Sequence, residues 1–458
     1  VKAPQTIIST ASAYAYPLLI KQLLHTTRAG ALDREIVYAD RVRHSYADFL
    51  RRVNRFGALI ERLDLVGETV AVMDWDSHRY LEAFFAVPMS GSVLQTVNVR
   101  LSPDQILFTL NHAKAGAVFV NSEFLPVLET IRDRLETVRT FVLLDDAQTA
   151  LPAGFAGEYE ALLAACPDRH EFPDFDENTR ATTFYTTGTT GEPKGVYFSH
   201  RQLVLHTLAL LGLLGTAAQQ GRLHRDDVYL PLTPMFHVHA WGLPYAATML
   251  GIKQVYPGRY QPDVILKLVQ REKVTFSHCV PTILHMLLIA RESAGVDLSN
   301  WKVIIGGSAL PTALAKAALA RGIDVFTGYG MSETCPILSL AQLDTADLGP
   351  DDVAVRTKAG RPNLLVDLRV VDAEMRDLPH DGRTVGEVVA RAPWLTQGYL
   401  ERPQASEELW EGGWLHTQDI GHIDARGYLQ ITDRIKDVIK TGGEWVSSLE
   451  IEDIIGRH

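Results

Sequence analysis

Short runs rich in β-forming residues alternate with longer helical runs along most of this chain, and that alternation restricts the fold more than any other feature. ETVAVMDW (68–75) reads as a strand, SPDQILFTLNHAKA (102–115) as a capped helix and GAVFV (116–120) as a strand. The pattern resumes in KVTFSHCV (273–280), PTILHMLLIARES (281–293), WKVIIGG (301–307), PTALAKAALAR (311–321) and DVFTGYG (324–330). Strands separated by helices of roughly ten residues or more predict βαβ units and mostly parallel sheets. Helix punctuation agrees: Ser199 and Gln202 have capping-box spacing, and Pro311 and Gly322 bracket a helix as an early proline and a C′ glycine do. From about Leu364 the pattern changes to strands and turns, in LLVDLRVVD (364–372), GEVVARAP (386–393) and GYLQITDR (427–434), which predicts a small all-β region. The polar string DRIKD (433–437) marks a late boundary.

Composition narrows the class. The 458 residues suggest two or three domains at about 150 residues each. With 46% hydrophobic and 22% charged residues, the chain has the balance of a soluble globular protein. Lys and Arg number 44 against 55 Asp and Glu, a net charge of −11, which argues against nucleic-acid binding as the main role. The three cysteines, Cys166, Cys279 and Cys335, are scattered and form no CxxC pair, so neither a disulfide framework nor a structural zinc site is expected, and a reducing cytoplasm suits them. The most apolar stretch, 203–218, is 16 residues and contains His206. A span needs about 20, so it reads as a buried helix and no transmembrane segment is expected. The N-terminus lacks a charged n-region and a continuous apolar stretch, so no secretory signal is expected either.

The strongest local signal is TTGTTGEPKG (186–195). Glycines, threonine hydroxyls and a lysine in ten residues make a loop able to wrap a polyphosphate with backbone N–H groups, Lys194 adding charge. Such clusters also serve as plain surface turns. The string is not the P-loop of the nucleotide triphosphatases, because only two residues separate Gly191 from Lys194 and Gly195 follows the lysine.

This loop resembles the phosphate-loop signature of the adenylate-forming superfamily of acyl-CoA synthetases, peptide-synthetase adenylation domains and luciferases. Further strings match in order: GGSALP (306–311), GYGMSET (328–334), WLHTQD (414–419) and DRIKDVIKTGGEWVSSLEIE (433–452). The segment FHVHAWGLPYAATMLGIKQVYPG (236–258) with GGEW (442–445) is most similar to the bacterial medium- and long-chain fatty acyl-CoA synthetases. The resemblance implies an α/β fold with a large N-terminal domain of βαβ-type sheets plus a small β region (1–432), a hinge (433–437) and the start of a small mobile C-terminal α+β domain (438–458). In the family that small domain has about a hundred residues and carries a lysine in a PxTxxGK-like string. No such string occurs here, so the remainder of that domain and its lysine are expected outside this sequence.

The resemblance also implies an activity and its residues. A carboxylate attacks ATP to give acyl-AMP and pyrophosphate, and CoA then displaces AMP. Such transfers rely on positioning and charge stabilisation. Thr186, Thr187, Gly188, Thr189, Thr190, Gly191 and Lys194 would hold the phosphates, and Glu333 with Thr189 would hold Mg²⁺, a hard ion suited to oxygen ligands. Ser308, Ala309, Gly328, Tyr329 and Gly330 would line the adenine, with Thr334 near the α-phosphate. Asp419 and Arg434 would hold the ribose; the family commonly has Thr-Gly-Asp where this chain has Thr417-Gln418-Asp419, which puts the local backbone geometry in question. His237 would lie beside the acyl carbonyl and Trp241 would gate the fatty-acid tunnel. His237 and His239 alone make a weak metal pair without a third ligand. Lys436 occupies the hinge position, and Gly442, Gly443, Glu444 and Trp445 fall on the CoA side. Cys279 and Cys335 read as structural. A fatty acid, ATP and CoA are the implied small-molecule partners, and a cytoplasmic homodimer the implied state. Two alternatives stay open: an enzyme that loads its acyl group onto a carrier protein, and a non-catalytic nucleotide-binding relative.

Overall fold

Two large, mostly parallel sheets organise the computed structural model, which describes residues 3–186, 192–217, 221–344, 349 and 352–435, and the backbone of 439–441 and 444–446. The seven-stranded sheet runs Gly157–Glu158, Thr140–Leu144, Ala115–Asn121, Thr69–Met73, Val93–Thr96, Arg180–Thr186 and, antiparallel at the edge, Lys194–Ser199. The nine-stranded sheet has a parallel centre formed by Glu35–Tyr38, Lys253–Tyr256, Val228–Pro231, Phe276–Cys279, Lys302–Ile305 and Asp324–Gly330. Antiparallel strands close its edges: Val42–Ser45 on one side, Ile337–Leu340 and Arg361–Pro362 on the other. The expected all-β region is a four-stranded antiparallel sheet of Asp367–Val371, Gly386–Arg391, Leu415–Ile423 and Leu429–Arg434, with one short helix, Pro403–Leu409, inserted.

One apolar core joins the two large sheets through shared helices. The helix His78–Met89 has all twelve residues buried, including Glu82, whose charge is met by Arg52 (Nε–Oε1 2.6 Å) and by the Tyr159 hydroxyl (2.6 Å). A buried carboxylate without such partners would be strongly destabilising. Residues 203–216 of the apolar stretch make up most of the helix His200–Thr216, which Ser199 and Gln202 start with a reciprocal capping box. The helix Thr312–Ala320 starts directly after Pro311. Gly322, with φ of +77°, follows it where an added Cβ would lie 2.9 Å from Ser299, so only glycine fits that turn. No helix of the described residues is long and apolar enough to cross a membrane.

Candidate active site

The expected residues of 306–309 and 328–330 lie at the C-terminal ends of two parallel strands of the nine-stranded sheet, where open α/β sheets bind ligands. Glycine-rich turns leave the strands there. Gly306 and Gly307 follow the strand Lys302–Ile305, and the neighbouring strand ends in Gly328, Tyr329 and Gly330. Ser308 and Ala309 are exposed on the first turn. A Cβ on Gly328 would meet the side chains of Leu340 (2.9 Å) and Ile304 (3.1 Å), so the backbone here runs closer to its neighbours than another residue would allow.

Glu333 lies in the short 3₁₀ turn Ser332–Thr334 and is only 7% exposed. Its Oε1 accepts a hydrogen bond from the Tyr399 hydroxyl at 2.6 Å. Burial pushes its carboxyl above the ordinary range, while the Tyr399 bond and the charges of Lys194 and Arg434 oppose that shift. Thr334 is fully buried; its hydroxyl accepts from the Met331 N–H (3.0 Å) and donates within the same turn to the carbonyls of Met331 and Pro336. It holds the turn in shape rather than presenting its oxygen to the cleft.

Thr186 and Lys194 face each other across the hairpin of the seven-stranded sheet. The loop residues Thr187, Gly188, Thr189, Thr190 and Gly191 lie outside the described residues, as do Lys436, Gly442 and Gly443; Glu444 and Trp445 are described as backbone. Lys194 is exposed, and its ammonium sits 4.6 Å from the centre of the Tyr399 ring. Tyr399 therefore links Lys194 to Glu333. Sequence reasoning did not single out this tyrosine. Its segment, WLTQGYL (394–400), crosses between the two sheets. Leu400 N–H donates to Gly195 O (2.8 Å), Thr396 N–H to Glu333 O (2.9 Å) and the Thr396 hydroxyl to Tyr197 O (2.9 Å). The available signal was a Gly-Tyr pair between the strand Gly386–Arg391 and the following helix.

Asp419, on the strand Leu415–Ile423, is almost fully buried. Its Oδ2 accepts from the Tyr329 hydroxyl at 2.7 Å, and its Oδ1 pairs with Arg434 Nε at 3.2 Å. Gln418 beside it has φ of +61°. Its backbone adopts the left-handed conformation in spite of its side chain, and the turn is held by Gln418 N–H to Glu387 Oε1 (3.2 Å) and Ile435 N–H to Gln418 O (2.9 Å).

The FHVHAWG string forms the opposite wall. Val238, His239, Ala240 and Trp241 have φ of 40°, 57°, 46° and 60°, and Gly242 follows at 75°. Four consecutive non-glycine residues in the left-handed region are costly. Trp241 is 4% exposed and lies against His278 with its ring tilted by 41° and ring centres 4.9 Å apart. Its indole fills the space that a side chain at Gly306 would take, 2.8 Å from an added Cβ. Between Trp241, His237, Gly306, Gly328, Tyr329 and Met331 remains a cavity of about 50 Å³. His237 opens onto that cleft, and the surrounding protein lowers its pKa by desolvation. His239 points the other way: its Nε2 meets the Thr182 hydroxyl at 2.8 Å, and burial lowers its pKa to about 3. The two histidines do not act as a pair. Among the described residues no three His, Cys, Asp or Glu side chains cluster as a zinc site would require. Cys279 and Cys335 are buried, and burial raises their thiol pKa values, so neither is an activated nucleophile. A larger cavity, about 610 Å³, lies on the other side of Tyr399 between Arg180, Tyr197, Gln202 and Gln397, away from Glu333 and Asp419.

Comparison with known proteins shows the family. Residues 24–400 match the family model described as AMP-binding enzyme. The chain is 41% identical over 423 residues to a long-chain-fatty-acid–CoA ligase of Thermus thermophilus, covering 91% of this chain and 76% of that protein. It is 36% identical over 420 residues to a medium-chain-fatty-acid–CoA ligase of Ectopseudomonas oleovorans, covering 89% and 75%. Among solved structures, a fatty acyl CoA synthetase of Mycobacterium tuberculosis superposes with a TM-score of 0.77 at 27% identity over 96% of this chain and 82% of that one. An anthranilate CoA ligase bound to anthranoyl-AMP shares the fold with a TM-score of 0.85 at 24% identity, over 96% and 82%.

Proposed function

This chain belongs to the AMP-binding enzyme family and is an ATP-dependent fatty acyl-CoA ligase, and we propose which of its residues serve each half of that reaction. In the first half a carboxylate oxygen of the fatty acid attacks the α-phosphorus of ATP. The bond to the bridging oxygen breaks, and pyrophosphate leaves acyl-AMP behind. In the second half the CoA sulfur, having given up its proton, attacks the acyl carbonyl and AMP departs.

Lys194 and Thr186, with Thr187, Gly188, Thr189, Thr190 and Gly191, cradle the β- and γ-phosphates. Glu333, helped by Thr189, would hold Mg²⁺. The donors suit that ion, which takes one or two protein oxygens and completes its shell from phosphates and water; a buried carboxylate whose proton is held too tightly gains most from a cation. Mg²⁺ neutralises phosphate charge when bound. Tyr399 orients Glu333 and donates to the ionised form. Asp419, fixed by Tyr329 and Arg434, accepts from the ribose hydroxyls, and Ser308, Ala309, Gly328, Tyr329 and Gly330 line the adenine. Thr334 keeps the Glu333 turn in register beside the α-phosphate. His237 stands at the acyl carbonyl and Trp241 gates the acyl path. The second half needs another set of groups at the same adenylate. Residues 438–458 begin the small domain that swings about Lys436 within the hinge 433–437 and brings Gly442, Gly443, Glu444 and Trp445 to the CoA side of the large domain, 1–432.

The observation that carries this assignment is the chain of contact from Lys194 through Tyr399 to Glu333, beside the Tyr329–Asp419 bond and across from Trp241. The enzyme works as a homodimer in the cytoplasm. The fully exposed Ile7 and Ile8 support pairing through the N-terminal region, and a monomer by light scattering would exclude it. The test of the reaction is AMP release with a panel of carboxylic acids. Release that requires ATP, a fatty acid and free CoA together supports the reading. Release that needs a carrier protein, or no acid-dependent exchange of pyrophosphate into ATP, would reject it.

A further inference from the structure

We infer that Asp76 is a positioning residue for the acyl half of the site, tying the loop that carries His237 and Trp241 to two neighbouring strand ends, most firmly when it is ionised. The inference rests on the assignment of that loop to the acyl path.

Three segments meet at this one side chain. Asp76 lies in the turn between the strand Thr69–Met73 and the helix His78–Met89, and is 2% exposed. Its Oδ1 accepts from the Met235 N–H at 2.8 Å, at the entrance to the left-handed run. Its Oδ2 accepts from the Tyr260 hydroxyl at 2.6 Å, beyond the strand Lys253–Tyr256. Its carbonyl accepts from the Gly258 N–H at 2.9 Å. Phe236, between Met235 and His237, is held by the Thr96 hydroxyl on its carbonyl (3.1 Å) and by Arg100, 5.9 Å from its ring centre. His237 is thus two residues from an anchor on a buried carboxylate.

Ionisation decides how strong that anchor is. Hydrogen bonds to a carboxylate are about twice as strong as those to a neutral acceptor. Burial raises the Asp76 carboxyl to about 7, and the charge of Asp74 acts in the same direction. The Tyr260 and Met235 bonds and the Arg100 guanidinium pull it down. Asp74 is itself offset by Arg79, 3.7 Å away. The other titratable groups facing Asp76 are Tyr80, Tyr229 and Tyr256, all pushed well above the ordinary tyrosine range. They stay neutral, so the groups in this knot that change charge are carboxyls: Asp76, and Asp74, which burial also raises while Arg79 opposes it. Protonation of Asp76 weakens the bond to Met235 and frees a loop whose backbone is already in a costly conformation.

The test is steady-state kinetics of the full-length enzyme on both sides of pH 7, with fatty acid varied at saturating ATP and ATP varied at saturating acid. The wild type should show an acid KM that rises as pH falls through about 7, with a steady KM for ATP. Asp76→Asn offers an N–H to one of the two donors; it should raise the acid KM about tenfold at every pH and abolish the inflection. Tyr260→Phe removes one of the bonds that favour ionisation, so its inflection should move to higher pH. An Asp76→Asn enzyme with a wild-type profile, or one in which the KM values for acid and ATP rise together, would overturn the inference. If Asp76→Asn does not fold, Tyr260→Phe decides alone, and an unmoved inflection overturns it. Failure of every fatty acid to support AMP release by the wild type would instead refute the acyl-site assignment itself.

Discussion

The Glu333 turn and the Trp241 loop line the same small cavity but hold their shapes by opposite means. Around Glu333 polar bonds determine the geometry: Tyr399 on the carboxylate, Thr396 on its carbonyl, Thr334 across the turn and Tyr329 on Asp419. Around Trp241 the backbone occupies four left-handed positions in succession and is kept there by ring packing and by the anchor at Met235. Each left-handed non-glycine residue costs on the order of 1–2 kcal/mol. Phosphoryl chemistry needs fixed charges, because stabilisation comes from groups that do not have to reorganise. Acyl chains differ in length, and a wall of stored strain can change shape to admit them. On the assignment proposed above, one cleft is rigid where charge develops and convertible where the substrate varies.

The sharpest way to break the comparison is Glu333→Gln. The side chain keeps its shape and its bond from Tyr399 but loses the charge that favours a cation. Acyl-AMP formation in single-turnover quenching should fall by about 100- to 1,000-fold with unchanged thermal unfolding. A wild-type rate would remove Glu333 from the site.

Tyr399→Phe should act on the same turn with a smaller effect, about tenfold on the adenylation rate at neutral pH. The sign follows from the bond. The hydroxyl lowers the Glu333 pKa, so its loss leaves more of the carboxyl protonated, and the deficit should shrink as pH rises. A pH-independent deficit would mean that Tyr399 acts by packing alone.

On the other wall, Trp241→Ala should change the acid KM by about three- to tenfold, to a degree that depends on acid length, while leaving the ATP KM nearly fixed. Loss of ATP affinity with an unchanged length preference would make Trp241 a core residue.

The smallest effect is expected at Gln418, which like Cys335 beside the Glu333 turn is a left-handed non-glycine residue in the otherwise polar, bonded half. Gln418→Gly relieves that conformation and should raise stability by up to about 1 kcal/mol in a denaturant titration, without altering kinetics. A destabilised variant would show that the Gln418 side chain makes contacts worth more than its backbone strain.

Much of this architecture was legible in the chain. The strand–helix alternation implied parallel sheets, and the strings at 306–311 and 328–334 landed at adjacent strand ends, with Asp419 of the 414–419 string bonded to Tyr329 from a separate sheet. Ser199 and Gln202 formed the capping box that their spacing suggested. What was not legible depends on pairing over long separations. Tyr399 meets Glu333 from 66 residues away, and Asp76 meets Tyr260 from 184; no local pattern encodes either. The left-handed run at 238–241 contradicts local preference, since none of its residues favours positive φ and only the following Gly242 does. There tertiary packing overrides the chain's own bias. Acyl chain length stays hidden for the same reason, because it depends on side chains distributed over several elements.

The measurement closest to the central claim is acid-dependent exchange of labelled pyrophosphate into ATP, without CoA, across fatty acids of increasing length for wild type, Glu333→Gln and Trp241→Ala side by side. A division of labour between the two walls requires that Glu333→Gln lose exchange with every acid, and that Trp241→Ala keep exchange but alter which acids support it best. Loss in equal proportion for both variants at all lengths would contradict it.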